Sequence, residues 1–344
     1  MLLRSGLRVA AQDEAGRATV PRRRSSAGPD RLAGFPEDIL QEILGRLPAK
    51  SVLRCRAVCP LWRRLASDPA FLLDHHGRQP ELALIGSYRA ADGAVRCPRL
   101  EALNLRDAEI RPAFGIPELF PSGVTVRASC DGLLIIGNYI CNPATRQWAP
   151  LSPNPKLRVD NLFGLFRHQP SGVFRVLYWR YLPSADWRVR CPHDLHMYSF
   201  LYHKILVFDT SAETFRQTIP PVNPRHVMHL LDMGGRLAVS TSKGDMAEMS
   251  IFTLQSSEPN VWAFRYRIRL PVMDLRRFQE HGDWLAKVVS KEGDVLVSCY
   301  GYLLHCDKGG NLVAHFKFDD TIPVVFHHRL KESLIQHTLF QKKN

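Results

Sequence analysis

The sequence predicts a multidomain α+β protein: three short helices near the N-terminus, followed by a larger all-β domain with a propeller-like organisation. Three observations carry this prediction. Apolar residues recur at helical spacing between Phe35 and Phe71. After His75-His76-Gly77 that period gives way to short apolar runs broken by Gly and Asp turns. Within the β half, a strand–turn–strand pattern recurs at about the 50-residue spacing of stacked β units.

The 344 residues suffice for two domains, and the ordinary apolar content allows a real core. Residues 1–32 read as a disordered basic tail, rich in Arg, Ala, Gly and Ser. Its run Pro21-Arg22-Arg23-Arg24-Ser25-Ser26 reads as solvated charge, with a nuclear-import patch or a kinase site as the alternatives. Met1-Leu2-Leu3 is too short for a secretory signal, and Asp13 and Glu14 do not suit a mitochondrial leader.

Residues 33–76 hold the helices. Pro36, Glu37 and Asp38 suit a helix start, and Ile39, Leu40, Ile43, Leu44 and Leu47 share one face of a 3.6-residue period. Pro48 stops that helix. Lys50 to Val58 reads as a second helix, with Val52, Leu53, Cys55 and Val58 apolar. Pro60 opens a third, lined by Leu61, Trp62 and Leu65. Asp68-Pro69 is expected to end it, with Phe71, Leu72 and Leu73 as a closing apolar knot.

This segment resembles an F-box of the type common in large plant families. The resemblance is carried by Asp38-Ile39-Leu40, Glu42-Ile43-Leu44, Arg46-Leu47-Pro48, Lys50-Ser51, Leu53-Arg54, Val58-Cys59, Trp62-Arg63 and Pro69-Ala70-Phe71. Two positions depart from the motif: Phe35 stands where Leu is usual, and Pro60 replaces a usual basic residue.

Residues 77–344 form the all-β domain, with a basic C-terminal end. Strands are expected at Leu133–Ile136, Val173–Tyr178, Ile205–Phe208, Leu237–Val239, Val295–Val297 and Leu312–Phe316. Turns are expected at Asp131-Gly132, Gly234-Gly235, Gly293-Asp294 and Gly309-Gly310. Repeat markers at positions 142, 209, 254 and 307 lie 67, 45 and 53 residues apart. That spacing suits kelch-type blades, and a two-sheet sandwich with extra hairpins is the alternative. Ser129 to Leu134 and Asn142-Pro143-Ala144-Thr145-Arg146-Gln147-Trp148 resemble the F-box-associated propeller-like regions of plant F-box proteins.

Several function classes recede. The formal charge is +13, but residues 1–34 supply +4 of it and residues 329–344 supply +3. A nucleic-acid binder concentrates its charge on a folded face, so direct nucleic-acid binding is not expected. No run approaches the ~20 apolar residues of a membrane helix. The eight cysteines lack a CxxC pair and read as reduced thiols, placing the protein in the nucleus or cytosol. Cys191, His193 and His196 lack a fourth ligand, so no metal is expected. No nucleophile elbow, P-loop or dinucleotide fingerprint is present, and no cofactor is expected.

The F-box resemblance implies a non-catalytic role as the substrate receptor of a ubiquitin ligase. Its helices would dock on a Skp-type adaptor carried by a cullin with a RING subunit. The adaptor-contact candidates are Pro36, Ile39, Leu40, Ile43, Leu44, Leu47, Pro48, Leu53, Val58, Cys59, Trp62 and Leu65; some of them must instead hold the helices together. The β domain would bind a protein substrate. Tyr181, Trp187 and Arg188, in a stretch rich in Tyr, Trp and Arg, are the candidates for that contact. An adaptor-bound scaffold that does not direct degradation, or a propeller that binds glycans or other ligands, are the alternative roles.

Overall fold

A computed structural model describes residues 35–91, 94–113, 125–151, 162–168, 172–178, 197–199, 204–209, 214–222, 226–244, 246–255, 261–279, 284–318 and 321–340. The helical unit has four helices, not three: α1 (Glu37–Gly45), α2 (Ala49–Cys55), α3 (Pro60–Leu65) and α4 (Pro69–Arg78). The Asp68-Pro69 pair starts a helix where the sequence reading had one end. The Asp68 carboxylate accepts from the Phe71 amide at 2.9 Å, and Pro69 occupies the first turn, where its missing N–H costs nothing. Pro60 likewise opens α3.

These helices close on Leu40, Leu44, Val52, Leu65, Phe71 and Leu72, joined by Leu334 from near the other end of the chain. Two polar side chains inside the unit reach backbone carbonyls, while Trp62 Nε1 and His75 Nδ1 are buried without a partner among the described residues. His75 is buried with Nε2 2.8 Å from the Leu47 carbonyl, and the Arg56 guanidinium donates to the Ala66 carbonyl at 2.8 and 3.0 Å.

The β region is built from antiparallel sheets. The first combines β1 (Glu81–Ala91), β2 (Ala94–Asn104) and β3 (Glu109–Pro112) with the last strand of the chain. The second holds β4 (Val126–Cys130), β5 (Leu133–Ile136), β6 (Tyr139–Asn142) and β7 (Gln147–Pro150). A smaller pair follows, β8 (Leu162–Arg167) and β9 (Phe174–Tyr178), then a three-stranded sheet of β10 (Met197–Ser199), β11 (Lys204–Asp209) and β12 (Thr214–Thr218). The next is β13 (Val227–Asp232), β14 (Leu237–Ser242), β15 (Glu248–Leu254) and β16 (Trp262–Arg269). After α5 (Val272–Leu275) comes β17 (Leu285–Val288), β18 (Val295–Cys299), β19 (Tyr302–Cys306) and β20 (Leu312–Lys317). Finally β21 (Ile322–Lys331) returns to pair with β1, Leu330 opposite Leu82 and Val325 opposite Ile85.

The cores lie between successive sheets. Ile205 and Val207 of β11 meet Val239 of β14. Met249, Ile251 and Ile268 meet Val288, Val297 and Leu304 of the following sheet. Leu296 and Leu303 then meet Ile85 and Leu103 of the first sheet. Leu82, Leu84 and Leu100 meet Leu134, Ile136 and Cys141, and on the far side of that sheet Ile135 and Ile140 meet Leu165 of β8. Sheets stacked face to face in succession, with first and last strands paired in one sheet, make a propeller-like fold. The two-sheet sandwich is excluded, because each central sheet packs against neighbours on both faces.

The four repeat markers fall at one structural place. Asn142 and Leu254 end β6 and β15, Asp209 ends β11, and Asp307 follows β19; each leads into the last strand of its sheet. The blades also approach one another closely. Gly310, at φ +82°, lies in the β19–β20 turn, where a Cβ would sit 1.9 Å from the Arg269 carbonyl oxygen of the preceding sheet.

Candidate functional site

The helical unit divides the twelve adaptor candidates. Leu40, Leu44 and Leu65 are 1%, 0% and 2% exposed. They are the internal contacts of the unit and cannot meet a partner without unpacking it. Ile39 and Ile43 are each 45% exposed, and Val58 is 58% exposed. Phe35, Pro36 and Pro48 are also exposed, while Leu47, Leu53, Cys59 and Trp62 are half-buried.

Helix geometry explains the division. Residues 40 and 44 stand one turn apart on the inner face of α1, and residues 39 and 43 stand one turn apart beside them. The four apolar residues Ile39, Leu40, Ile43 and Leu44 on this nine-residue helix span more than the core it meets, so two isoleucines remain outside. Val58 sits in the turn between α2 and α3, where the Cys55 carbonyl accepts from its amide at 3.1 Å. Cys59 is the extended residue just before α3.

Charges edge this surface. Arg46 pairs with Glu42 at 3.0 Å, Arg78 with the same Glu42 at 2.8 Å and with Asp74 at 2.9 Å, and Arg64 pairs with Glu37. The two arginines hold the Glu42 carboxyl below the ordinary carboxylate range, Arg78 contributing most. These pairs are exposed and contribute little to stability.

A second feature joins this unit to the propeller. After β21 the chain runs back along α4. The His76 ring lies 3.0 Å from the Glu332 carbonyl, and Lys331 Nζ donates to the Gly77 carbonyl at 2.8 Å. Leu334 enters the helical core, with Ile335 and Ala144 packed beside it. Asn142 anchors the same segment. Its side-chain amide donates to the Ser333 carbonyl at 3.0 Å, and its Oδ1 accepts from the amides of Ala144 at 3.0 Å and Thr145 at 3.3 Å. The Asn-Pro-x-Thr stretch is thus a turn that also ties the C-terminal segment between blade and helices. Gly132 lies against it at φ +83°, and a Cβ there would fall 2.3 Å from Ser333 Cβ.

Tyr181, Trp187 and Arg188, and the Cys191, His193 and His196 set, lie outside the described residues. Trp148 packs at the edge of a blade core, and the Trp262 indole donates to the Ile219 carbonyl at 2.7 Å. One Ser–Asp–His set escaped sequence reading. The Ser290 hydroxyl donates to Asp294 at 2.5 Å, and the other Asp294 oxygen lies 2.9 Å from His305 Nε2. The serine donates to the carboxylate, and the imidazole accepts nothing from it. This arrangement closes the β17–β18 turn and lacks the hydroxyl-to-base bond of an activated nucleophile.

Comparison with known proteins agrees with the geometry. Residues 32–74 match the F-box domain. The chain is 31% identical over 135 residues to F-box protein At5g49610 of Arabidopsis thaliana, covering 36% of this chain and 33% of that protein. It is 24% identical to the Putative F-box/kelch-repeat protein At1g12870 of the same plant, covering 69% of this chain and 71% of the other. The match thus spans a third of the first relative's length and more of the second. Among solved structures, a β-propeller domain from Myceliophteria thermophila aligns at 13% identity and TM-score 0.32, covering 68% of this chain and 87% of that one. The propeller-like architecture rests on the chain's own sheet order.

Proposed function

We propose that this chain, which carries an F-box domain ahead of a propeller-like β region, is the substrate receptor of a Skp–cullin–F-box ubiquitin ligase. The observation that carries the reading is the exposed apolar surface of the F-box: Phe35, Ile39, Ile43 and Val58 stand exposed on a unit whose core is closed by Leu40, Leu44 and Leu65. Their partner is a Skp-type adaptor, and through it a cullin and a RING subunit.

The chemistry then resides in the RING-recruited conjugating enzyme. This chain acts by proximity, raising the effective concentration of substrate lysines near the thioester. The packed segment from Glu332 to Ile335 suits that role, because it fixes the β region on the F-box. The substrate is a protein held on the β region, with Tyr181, Trp187 and Arg188 as its proposed contacts. The proposed setting is the nucleus or cytosol. Cys55, Cys59, Cys130, Cys141, Cys299 and Cys306 are free thiols, which suits a reducing compartment.

The test is reconstitution with adaptor, cullin, RING subunit and conjugating enzyme, reading ubiquitination of the receptor chain itself. Wild type is expected to be modified, and the Ile39→Ala/Ile43→Ala variant much more slowly. Equal modification of both, or none of a folded wild type, overturns the proposal.

A further inference from the structure

A cavity of about 430 Å³ lies where β1, β4, β13, β17 and β21 meet, with His76 of α4 at one wall. That is the size of a small-molecule site. Lys287 of β17 lines it. Its Nζ donates to the Val325 carbonyl at 2.6 Å and lies 3.4 Å from His327 Nε2. An ammonium has three donors, so one remains uncommitted. No described carboxylate forms an ion pair with Lys287.

The His327 imidazole stands beside this cation, with His328 also on the cavity wall and His229 against His327 but off the wall. The His327 ring lies 5.6 Å from that of His229, and His328 is the next residue on β21. His327 faces the cavity but is enclosed by the inner strands. Enclosure and Lys287 together press all three rings below the ordinary imidazole range, His229 and His328 to about 4. Burial lowers the Lys287 ammonium to about 8.

The carboxylates on the wall are largely committed elsewhere. Glu81 pairs with Arg329 at 3.2 Å, and Asp232 accepts from the Gly235 amide at 2.7 Å at the end of its hairpin. Asp131 is the remaining one, in the β4–β5 turn at the rim. Lys331, also on the wall, donates to the Gly77 carbonyl and to no other described group. The inner surface therefore presents an ammonium with no described ion-pair partner beside neutral imidazoles.

We propose that this cavity binds a small anionic molecule through a phosphate or carboxylate group, held by Lys287 with His327 beside it. Binding replaces the missing counter-charge. The spare Lys287 donor makes a charge-assisted hydrogen bond, and the neutral His327 ring can donate its single N–H. The site is independent of the F-box face.

The test uses the full chain at fixed ionic strength, with inorganic phosphate and citrate as probes. Phosphate binding is read by 31P line broadening and citrate by calorimetry and by competition with phosphate. Saturable binding by either probe is expected, with competition if both bind; phosphate alone assigns a phosphate ester and citrate alone a polycarboxylate. Lys287→Met should weaken binding by about 10- to 100-fold. His327→Asn should weaken it less, and Lys243→Ala, at an exposed position away from the cavity, should leave it unchanged. Folding of each variant is checked by circular dichroism, and if Lys287→Met does not fold, His327→Asn decides. Absence of saturable binding by folded wild type, or unchanged affinity in a folded Lys287→Met or His327→Asn, overturns the proposal.

Discussion

Replacing Asn142 by Ala tests how the F-box is held on the propeller. Asn142 is fully buried and makes three hydrogen bonds, to the Ser333 carbonyl and from the Ala144 and Thr145 amides. Each contributes about 1 kcal/mol, and more where the abandoned partner stays buried, so the variant should lose about 2–4 kcal/mol. At about 2–4 °C per kcal/mol for a domain of this size, the melting temperature should fall by roughly 5–10 °C. The damage should also be local. With Ser333 released, Leu334 leaves the helical core more readily, so limited proteolysis should cut near residues 332–340 sooner than in wild type. Asn142→Asp is a sharper control. It keeps both accepted bonds but sets a carboxylate against the Ser333 carbonyl, and should be at least as destabilising as Ala. Thr145→Ala, which loses a bond to the exposed Gln147 side chain, should change little. An Asn142→Ala protein that melts within about 1 °C of wild type and resists protease equally would refute this account of the junction.

Four further outcomes follow from the same contacts. Leu44→Ala should cost about 2–5 kcal/mol of stability by leaving a hole in the helical core, whereas Ile43→Ala should cost far less; thermal melts of the two distinguish inner from outer face. Gly310→Ala should lower the melting temperature by several degrees, since its Cβ would collide with the Arg269 carbonyl and the φ is unfavourable for alanine; a neutral result would mean that the blades separate easily. Stability should fall on acidification from about pH 6.5 towards pH 4. His75, His229, His327 and His328 all have folded values below the unfolded 6.5, so the unfolded chain takes up more protons in that window. A melting temperature that is flat between pH 7 and pH 4.5 would contradict it. Burial pushes Cys141 and Cys306 up to about 12 and Cys299 to about 11, so thiol reagents at pH 8 should reach these three only after unfolding, as mass spectrometry of labelled peptides would show.

Much of the architecture was legible because local chemistry decides it. The helix period around Leu40 and Leu44, the Pro60 start and the Asp131-Gly132 turn each have a cause within a few residues. Asp68-Pro69 misled because the pair both follows one helix and caps the next; the Asp–Pro order, an N-cap before an N1 proline, was the available signal. The strands β1 to β3 were missed. So was the closure of β21 on β1, a pairing across more than 200 residues that leaves no periodic trace. The division between Ile39/Ile43 and Leu40/Leu44 was equally hidden, since both pairs are apolar and one turn apart. Only the packing of α3 and α4 decides which pair is covered. The cavity at Lys287 was invisible for the same reason: its wall comes from five strands, most of them far apart in sequence.

The most direct test of the ligase reading is the stoichiometry and affinity of the purified chain with a Skp-type adaptor, by light scattering after size exclusion and by calorimetry. Ile39 and Ile43 are each about half covered within the chain, so burial of the remainder is worth about 1 kcal/mol apiece. The account predicts a one-to-one complex, weakened about 30-fold in a folded Ile39→Ala/Ile43→Ala variant. A folded wild-type chain that forms no complex, or a double variant that binds as tightly as wild type, would contradict it.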